Sequence, residues 1–397
     1  MNVAGPGNWL AAAEGGREQM LELRHAIHAE PELGLDCPGT RDKLEAALAG
    51  LPLTIHRSGR TSGFVAVLDG SSSGRTVLLR GDMDALPIHE ATGLAFSSRF
   101  DGRMHACGHD SHSAMLASAA RILCHHKEDI VGRILFMFQP GEEGYHGAKA
   151  MIEEGLLGDP VPDAAFALHI WPTLPHGTVA CRPGAMLAST DTLRARIVGK
   201  GGHAAMPHDA LDPIPVAAEI VLALQSEVAR RTPVTDPIVM SVTRISAGTT
   251  HNVLPDAVEL LGTLRTLSAE GRTRGREAFE RICNHVAAAH GCLAEVEIEP
   301  GYPPTVNDQR AVALVRDIAG ADYVELSASN MGGEDFSYVL EKTPGCMAFL
   351  GVAPRGEDAS TRAPLHNPGM IIDEDVLPRG VALHCAFATC FLERGWG

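Results

Sequence analysis

The sequence has 397 residues, 45% hydrophobic and 21% charged, with a formal net charge of −16 at pH 7. Length predicts roughly two or three domains with ample core, and the composition excludes a disordered or fibrous chain. The acidic balance argues against nucleic acid or an anionic membrane as the main partner, and nine cysteines without a small-scaffold pattern predict reduced thiols.

In chain order, the N-terminal stretch has no basic segment leading into a long apolar run. No signal peptide or membrane span is expected, and a cytoplasmic location is. Residues 17–29 carry helical apolar spacing that Pro31 ends. "GFVAVLDG" (63–70) and "TVLLRGD" (76–82) read as strands joined by a Ser-Gly turn. A helix over 110–126 opens at Asp110, and the apolar runs 132–140 and 163–170 read as buried strands. Apolar strands alternating with helices predict an α/β domain with a mixed, mostly parallel sheet covered on both faces.

The pattern then changes. Residues 189–202 alternate like a half-exposed strand, and Asp212-Pro213 starts a helix that runs to about Arg231. Strands at 237–246 and 256–267, a helix from Ser268 to Gly291 and a strand at 292–300 complete a β-α-β-β-α-β order. That is the order of a ferredoxin-like α+β layer. Residues 186–300 are therefore expected as a domain inserted into a first domain made of 1–185 and 301–397. The first domain closes with a strand at 344–352 and a helix at 374–393.

Chemistry collects at the predicted strand ends. "MHACGHDSH" (104–112) places Cys107 among His105, His109 and His112. "LLRGDMDALP" puts Asp82 and Asp84 past one strand, "QPGEEGYHG" puts Glu142 and Glu143 past another, "ALHIWP" supplies His169, and "APLHNPG" supplies His366. Ligands of open α/β sheets bind beyond the carboxyl ends of the strands. Thiol, imidazole and carboxylate gathered on one such edge are what a metal site needs. Each motif alone is unspecific, since a lone histidine is more often packed or solvated and an acidic pair is usually a solvated turn.

Taken together, "RGDMDALP", "MHACGHDSH", "QPGEEG", "ALHIWP", "GKGGHAAMPH", "THNVLPD", "GGEDFSY" and "PLHNPGMIIDEDVLPRGV" resemble the metal-dependent N-acyl-amino-acid amidohydrolases. This is the aminoacylase, hippurate hydrolase and indole-acetyl-amino-acid hydrolase branch of a larger binuclear metallopeptidase family. The resemblance spans residues 80–381 in order. It implies a metallopeptidase catalytic domain with the inserted domain as lid and dimerisation element. It implies five ligands, Cys107, His109, Glu143, His169 and His366, for two divalent ions. Cys107 bridges them, Glu143 and His366 serve one ion, and His109 and His169 serve the other. Zn²⁺ or Mn²⁺ is expected, with Co²⁺ or Ni²⁺ as alternatives. Glu142 falls at the general-base position, and Asp84 resembles the acid that orients a histidine ligand, with Asp110 a weaker candidate. His203 is implied to stabilise the carbonyl oxyanion from the partner subunit of a homodimer, and Asn252 to hold the substrate carboxylate or carbonyl. Gly332 and Gly333, or Arg265, are further candidates for the substrate carboxylate. Asp82 stands where the wider family has a metal histidine. Gly141 and Ser111 stand where alanine and glycine are frequent.

The activity implied is hydrolysis of the amide of an N-acyl-L-amino acid to a carboxylate and a free amino acid. A dipeptidase or carboxypeptidase with the same chemistry is the near alternative. Cys107 as a thiol nucleophile with His109 as base is a remote one, because it leaves Glu142, Glu143, His169 and His366 without a role. A non-catalytic metal-binding protein is another, and it has no need of Glu142.

Overall fold

The computed structural model describes residues 6–158 and 161–397. The first five residues of the N-terminal stretch considered above lie outside it. In chain order the elements are α1 (Pro6–Gly15), α2 (Arg17–His28), α3 (Pro38–Leu48), β1 (Thr54–Arg57), β2 (Phe64–Asp69), β3 (Ser72–Asp82), α4 (His109–His125), β4 (Val131–Gln139), α5 (Gly147–Glu153), β5 (Ala164–Trp171) and β6 (Val179–Cys181). They continue with β7 (Gly184–Leu187), β8 (Asp191–Val198), β9 (Gly202–His203), α6 (Pro213–Arg231), β10 (Ile238–Ala247), β11 (Val253–Leu254), β12 (Ala257–Thr266), α7 (Ala269–Ala289) and β13 (Leu293–Pro300). The chain closes with β14 (Thr305–Asn307), α8 (Gln309–Ala319), β15 (Tyr323–Glu325), α9 (Ser337–Leu340), β16 (Gly345–Gly351) and α10 (Leu377–Arg394).

The chain forms two compact units. The first comprises Met1–Gly184, Val306–Ser327 and Asp335–Gly397; the second comprises Ala185–Thr305 and Ala328–Glu334. The first holds an eight-stranded sheet in the order β1-β2-β4-β3-β5-β16-β6-β15. Its centre is parallel: β3 pairs with β4 and β5, and β5 pairs with β16. Strands β1 and β2 extend one side antiparallel. The central strands are largely apolar and buried where they adjoin, and every residue of "AAFALHI" is buried. Phe136, Phe138 and Phe166 are fully buried there, each contributing about 1.5–3 kcal/mol of transfer free energy. Helix α10 is long and apolar enough to cross a membrane, but most of it is buried as a core helix of this unit. It begins at Leu377 after a 3-10 turn over Glu374–Val376, capped by the Asp373 carboxylate on the Asp375 amide, rather than at 374.

The second unit is a four-stranded antiparallel sheet, order β10-β12-β8-β13, with α6 and α7 on one face. In chain positions this order is 2-3-1-4, as in a ferredoxin-like layer. Leu193, Ile197, Ile220, Leu224, Leu264 and Phe279 make its core. Asp212 caps α6 through the Ile214 amide, and Ser268 caps α7 through the Gly271 amide. The segment 328–334 belongs to this unit as well, through a parallel bridge between Leu187 and Asn330. It carries no strand or helix periodicity, so the sequence pattern did not mark it.

Candidate metal centre

Parallel pairing brings the carboxyl ends of β3, β4 and β5 to one edge of the sheet. Asp82 at the end of β3 lies opposite Gln139 at the end of β4. The chain beyond β3 supplies Asp84, the chain beyond β4 supplies Glu142 and Glu143, and β5 supplies His169 near its end. Helix α4 starts against the same edge. Its N-terminal residue is His109, and Gly108 precedes it at φ +85°. A side chain at Gly108 would meet Ile170 Cδ1 at 2.5 Å, so glycine lets the Cys107–His109 turn close onto β5.

Donor atoms of Cys107, His109 and His169 lie within 4.8 Å of one another, and so do those of Cys107, Glu143 and His366. Cys107 is common to both groups. Its Sγ is 3.4 Å from His169 Nε2, and His366 Nε2 is 3.2 Å from Glu143 Oε1. His366 reaches the site from a distant loop, at φ +64°. Cys107, His109, Glu142 and His169 are buried, while the His366 side chain is 52% exposed.

Backbone carbonyls set the histidine tautomers. His109 Nδ1 donates to the Asp84 carbonyl at 2.8 Å, and His169 Nδ1 donates to the Ile170 carbonyl at 2.7 Å. In each ring Nδ1 is thereby engaged, and Nε2 is the nitrogen left to face the site. His109 Nε2 is buried and has no hydrogen-bond partner among the described residues. The Asp84 carboxylate has a different task from the Asp84 carbonyl: its two oxygens accept the Glu142 and Glu143 amides at 3.0 and 3.1 Å. That clamp fixes the turn after β4. Asp110 turns away toward His28 at 2.8 Å and Arg24 at 3.1 Å, and Arg24 also donates to Ser111 Oγ at 2.9 Å.

The field of the site calls for positive charge. Burial opposes a proton on His109, but Asp82, Asp84 and Glu143 outweigh it and raise its pKa to about 10. Burial also opposes ionisation of Glu143, yet His366 and His109 hold its carboxyl below the usual range. Burial, followed by Glu143, Glu142 and Asp82, pushes the Cys107 thiol well up. A cation answers all three at once, and an orphaned imidazole nitrogen beside thiol and carboxylate donors fits divalent metal ions.

The remaining candidates lie in the second unit. His203 and Asn252 are neighbours there, joined by the Ala204 amide on the Asn252 carbonyl at 3.1 Å, and both are exposed. His203 Nδ1 accepts the Ala205 amide at 3.0 Å, which leaves Nε2 outward. The Gly332 carbonyl accepts the Ala188 amide at 2.9 Å, and a side chain at Gly333 would meet Thr190 Cγ2 at 2.3 Å. Arg265, on β12, is partly buried, and that burial lowers its pKa against the pull of Asp191. Sequence reasoning placed His112 in the Cys107 cluster but gave it no role, although it sits one turn after His109 on α4. Its ring centroid is 4.5 Å from that of His169. The i, i+3 spacing was the available signal.

Residues 78–389 match the profile of Peptidase family M20/M25/M40. The chain is 37% identical to "IAA-amino acid hydrolase ILR1-like 2" of Arabidopsis thaliana, covering 94% of this chain and 85% of that one. It is 36% identical to "Thermostable carboxypeptidase 1" of Saccharolobus solfataricus, covering 94% and 95%. Among solved structures, a Bacillus subtilis protein titled a dinuclear metal binding peptidase from the M20 family superposes with a TM-score of 0.82 at 32% identity, covering 96% of this chain and 99% of that one.

Proposed function

The chain belongs to Peptidase family M20/M25/M40, and from that premise we propose that it hydrolyses the amide bond of N-acyl-L-amino acids to a carboxylate and a free amino acid. The observation that carries this reading is the pair of donor groups sharing Cys107. Cys107, His109, Glu143, His169 and His366 would hold two divalent ions, Zn²⁺ or Mn²⁺, with Co²⁺ or Ni²⁺ as substitutes; His109 and His169 would serve one ion, Glu143 and His366 the other, and Cys107 both. Such ions supply Lewis acidity toward the scissile carbonyl and acidify the attacking water.

The chain's own residues do the rest. Glu142 takes the proton from water and returns it to the leaving nitrogen. Its place beside His109, with Oε2 4.0 Å from Nε2, supports that role. Asp84 holds Glu142 and Glu143 on either side of one turn, so that neighbouring carboxylates serve as base and as ligand. His203, on the lid of the partner subunit in a homodimer, steadies the carbonyl oxygen as it becomes negative. Asn252 holds the substrate carboxylate or carbonyl, and the Gly332-Gly333 backbone, or Arg265 in its stead, receives the carboxylate. The enzyme works in the cytoplasm on small acylated amino acids.

A second reading is favoured by the carboxypeptidase relative: the same chemistry on a peptide bond. Turnover of benzoyl-glycine, N-acetyl-methionine, indole-acetyl-alanine and one plain dipeptide separates the two. Each is assayed with Zn²⁺, Mn²⁺ or Co²⁺ and with a chelator. Metal-dependent release of amino acid from the acylated substrates is expected. Cleavage of the dipeptide alone establishes the second reading, and turnover that survives chelation overturns both.

A further inference from the structure

The pairing of β3 with β5 ends at Arg80 opposite Ala167. Beyond that point no strand among the described residues pairs with β5 on its β3 side, yet His169 lies two residues further on. A side chain replaces the missing strand: Ile170 N–H donates to His112 Nε2 at 2.8 Å. A backbone amide can only donate, so His112 Nε2 carries the lone pair. Its proton then sits on Nδ1 and is donated to Asp82 Oδ1 at 2.6 Å. The other Asp82 oxygen is held by Arg80. Ile170 in turn accepts the His169 Nδ1 proton on its carbonyl at 2.7 Å. His112 and Asp82 are both buried, so no water competes for these bonds.

We propose that His112 is a positioning residue: through the Ile170 backbone it fixes the end of β5 so that His169 Nε2 faces Cys107. Asp82 sets the His112 tautomer that makes this possible. The inference rests on the reading of His169 and Cys107 as ligands of one ion. It adds that one of two ions depends on a side chain touching neither. Asp82 thus has a task of its own at a position where the wider family places a metal histidine.

The test uses the full-length protein and Co²⁺ alone, followed by visible absorption and by titration against a competing chelator. The wild-type chain is expected to take up two Co²⁺ ions in two distinguishable steps. His112→Leu keeps the bulk and removes the acceptor. It should weaken one step about 10–100-fold and leave the other unchanged. His112→Gln offers an amide oxygen to Ile170 and should restore most of the lost affinity. Equal affinity of both steps in wild type and a folded His112→Leu variant overturns the proposal. Uniform weakening of both steps, unrelieved in His112→Gln, also overturns it by indicating a general structural role. ¹⁵N-histidine NMR of the metal-free wild type needs no variant. It should show His112 protonated on Nδ1 alone, and a proton on Nε2 refutes the inference even if His112→Leu fails to fold. A wild-type chain that binds Co²⁺ in this way but hydrolyses no amide would sink the proposed function and leave the positioning role standing.

Discussion

The backbone N–H of His366 donates to the carbonyl of Ala106 at 2.8 Å. This bond ties the loop before α10 to the residue preceding Cys107. It also holds His366 at φ +64°, a conformation that side chains other than glycine adopt at a cost of about 1–2 kcal/mol. Strain of this kind persists where the surroundings over-determine the backbone. Here it brings an imidazole to Glu143.

In the metal-free protein, His366→Gly should therefore be more stable than His366→Ala by about 1 kcal/mol, because only alanine retains the strained Cβ. Urea denaturation of the two variants measures the difference. An alanine variant at least as stable as the glycine variant would show that the left-handed backbone costs nothing here.

Glu142→Gln should bind metal as the wild type does and lose about 10²–10⁴-fold in turnover. The Asp84 clamp holds the backbone of this turn, so the substitution leaves its course intact. Metal content and kcat measured on the same preparation decide the matter. Retained turnover removes Glu142 as the general base.

Gly141 occupies a tight place in the turn that carries Glu142 and Glu143. It lies at φ +74°, and an added Cβ would meet Leu35 Cδ2 at 2.5 Å. Gly141→Ala should lower stability by about 1–3 kcal/mol. Leu35→Ala in the same chain should recover part of that loss, a coupling of at least about 0.5 kcal/mol. A double-mutant cycle by thermal denaturation tests it, and strict additivity would locate the cost in the backbone alone.

His384 gives the fold a pH limb. It is buried on α10, edge-on to Phe166 with ring centroids 5.3 Å apart, and neither ring nitrogen has a hydrogen-bond partner among the described residues. Burial, followed by repulsion from His112, lowers its pKa from 6.5 to about 3. Above pH 6.5 the ring is neutral in both folded and unfolded chains and adds no pH dependence. Below that, the unfolded chain binds a proton that the folded chain refuses, so stability falls until about pH 3. Urea midpoints of His384→Phe between pH 7 and about pH 4 should fall less steeply than those of the wild type. Parallel curves would mean that the ring accepts its proton without cost.

The Cys107 thiol is a poor nucleophile without metal. Burial and the carboxylates of Glu143, Glu142 and Asp82 raise its pKa, and a reactive cysteine needs the opposite. Iodoacetamide should modify Cys107 in the metal-free protein more slowly at pH 7 than a free thiol. Rapid selective alkylation would revive the cysteine-nucleophile reading.

The sequence by itself determined the elements and the donor types. Apolar runs marked the buried strands because those strands lie covered on both faces. Alternation and the Asp212 and Ser268 caps marked the second unit because both signals are local. Motif order named Cys107, His109, Glu143, His169 and His366, since chemistry restricts which residue types serve. Only the tertiary structure decided how they meet. It set donor atoms of Cys107 close both to those of His109 and His169 and to those of Glu143 and His366, a matter of strand register and of the loop that returns His366. It showed Asp84 serving His109 through its carbonyl and the Glu142–Glu143 turn through its carboxylate. It drew His112 and Asp82 together behind His169 across 30 residues. Hydrogen bonds to backbone groups leave no trace in residue type, because every residue offers the same carbonyl and all but proline the same amide.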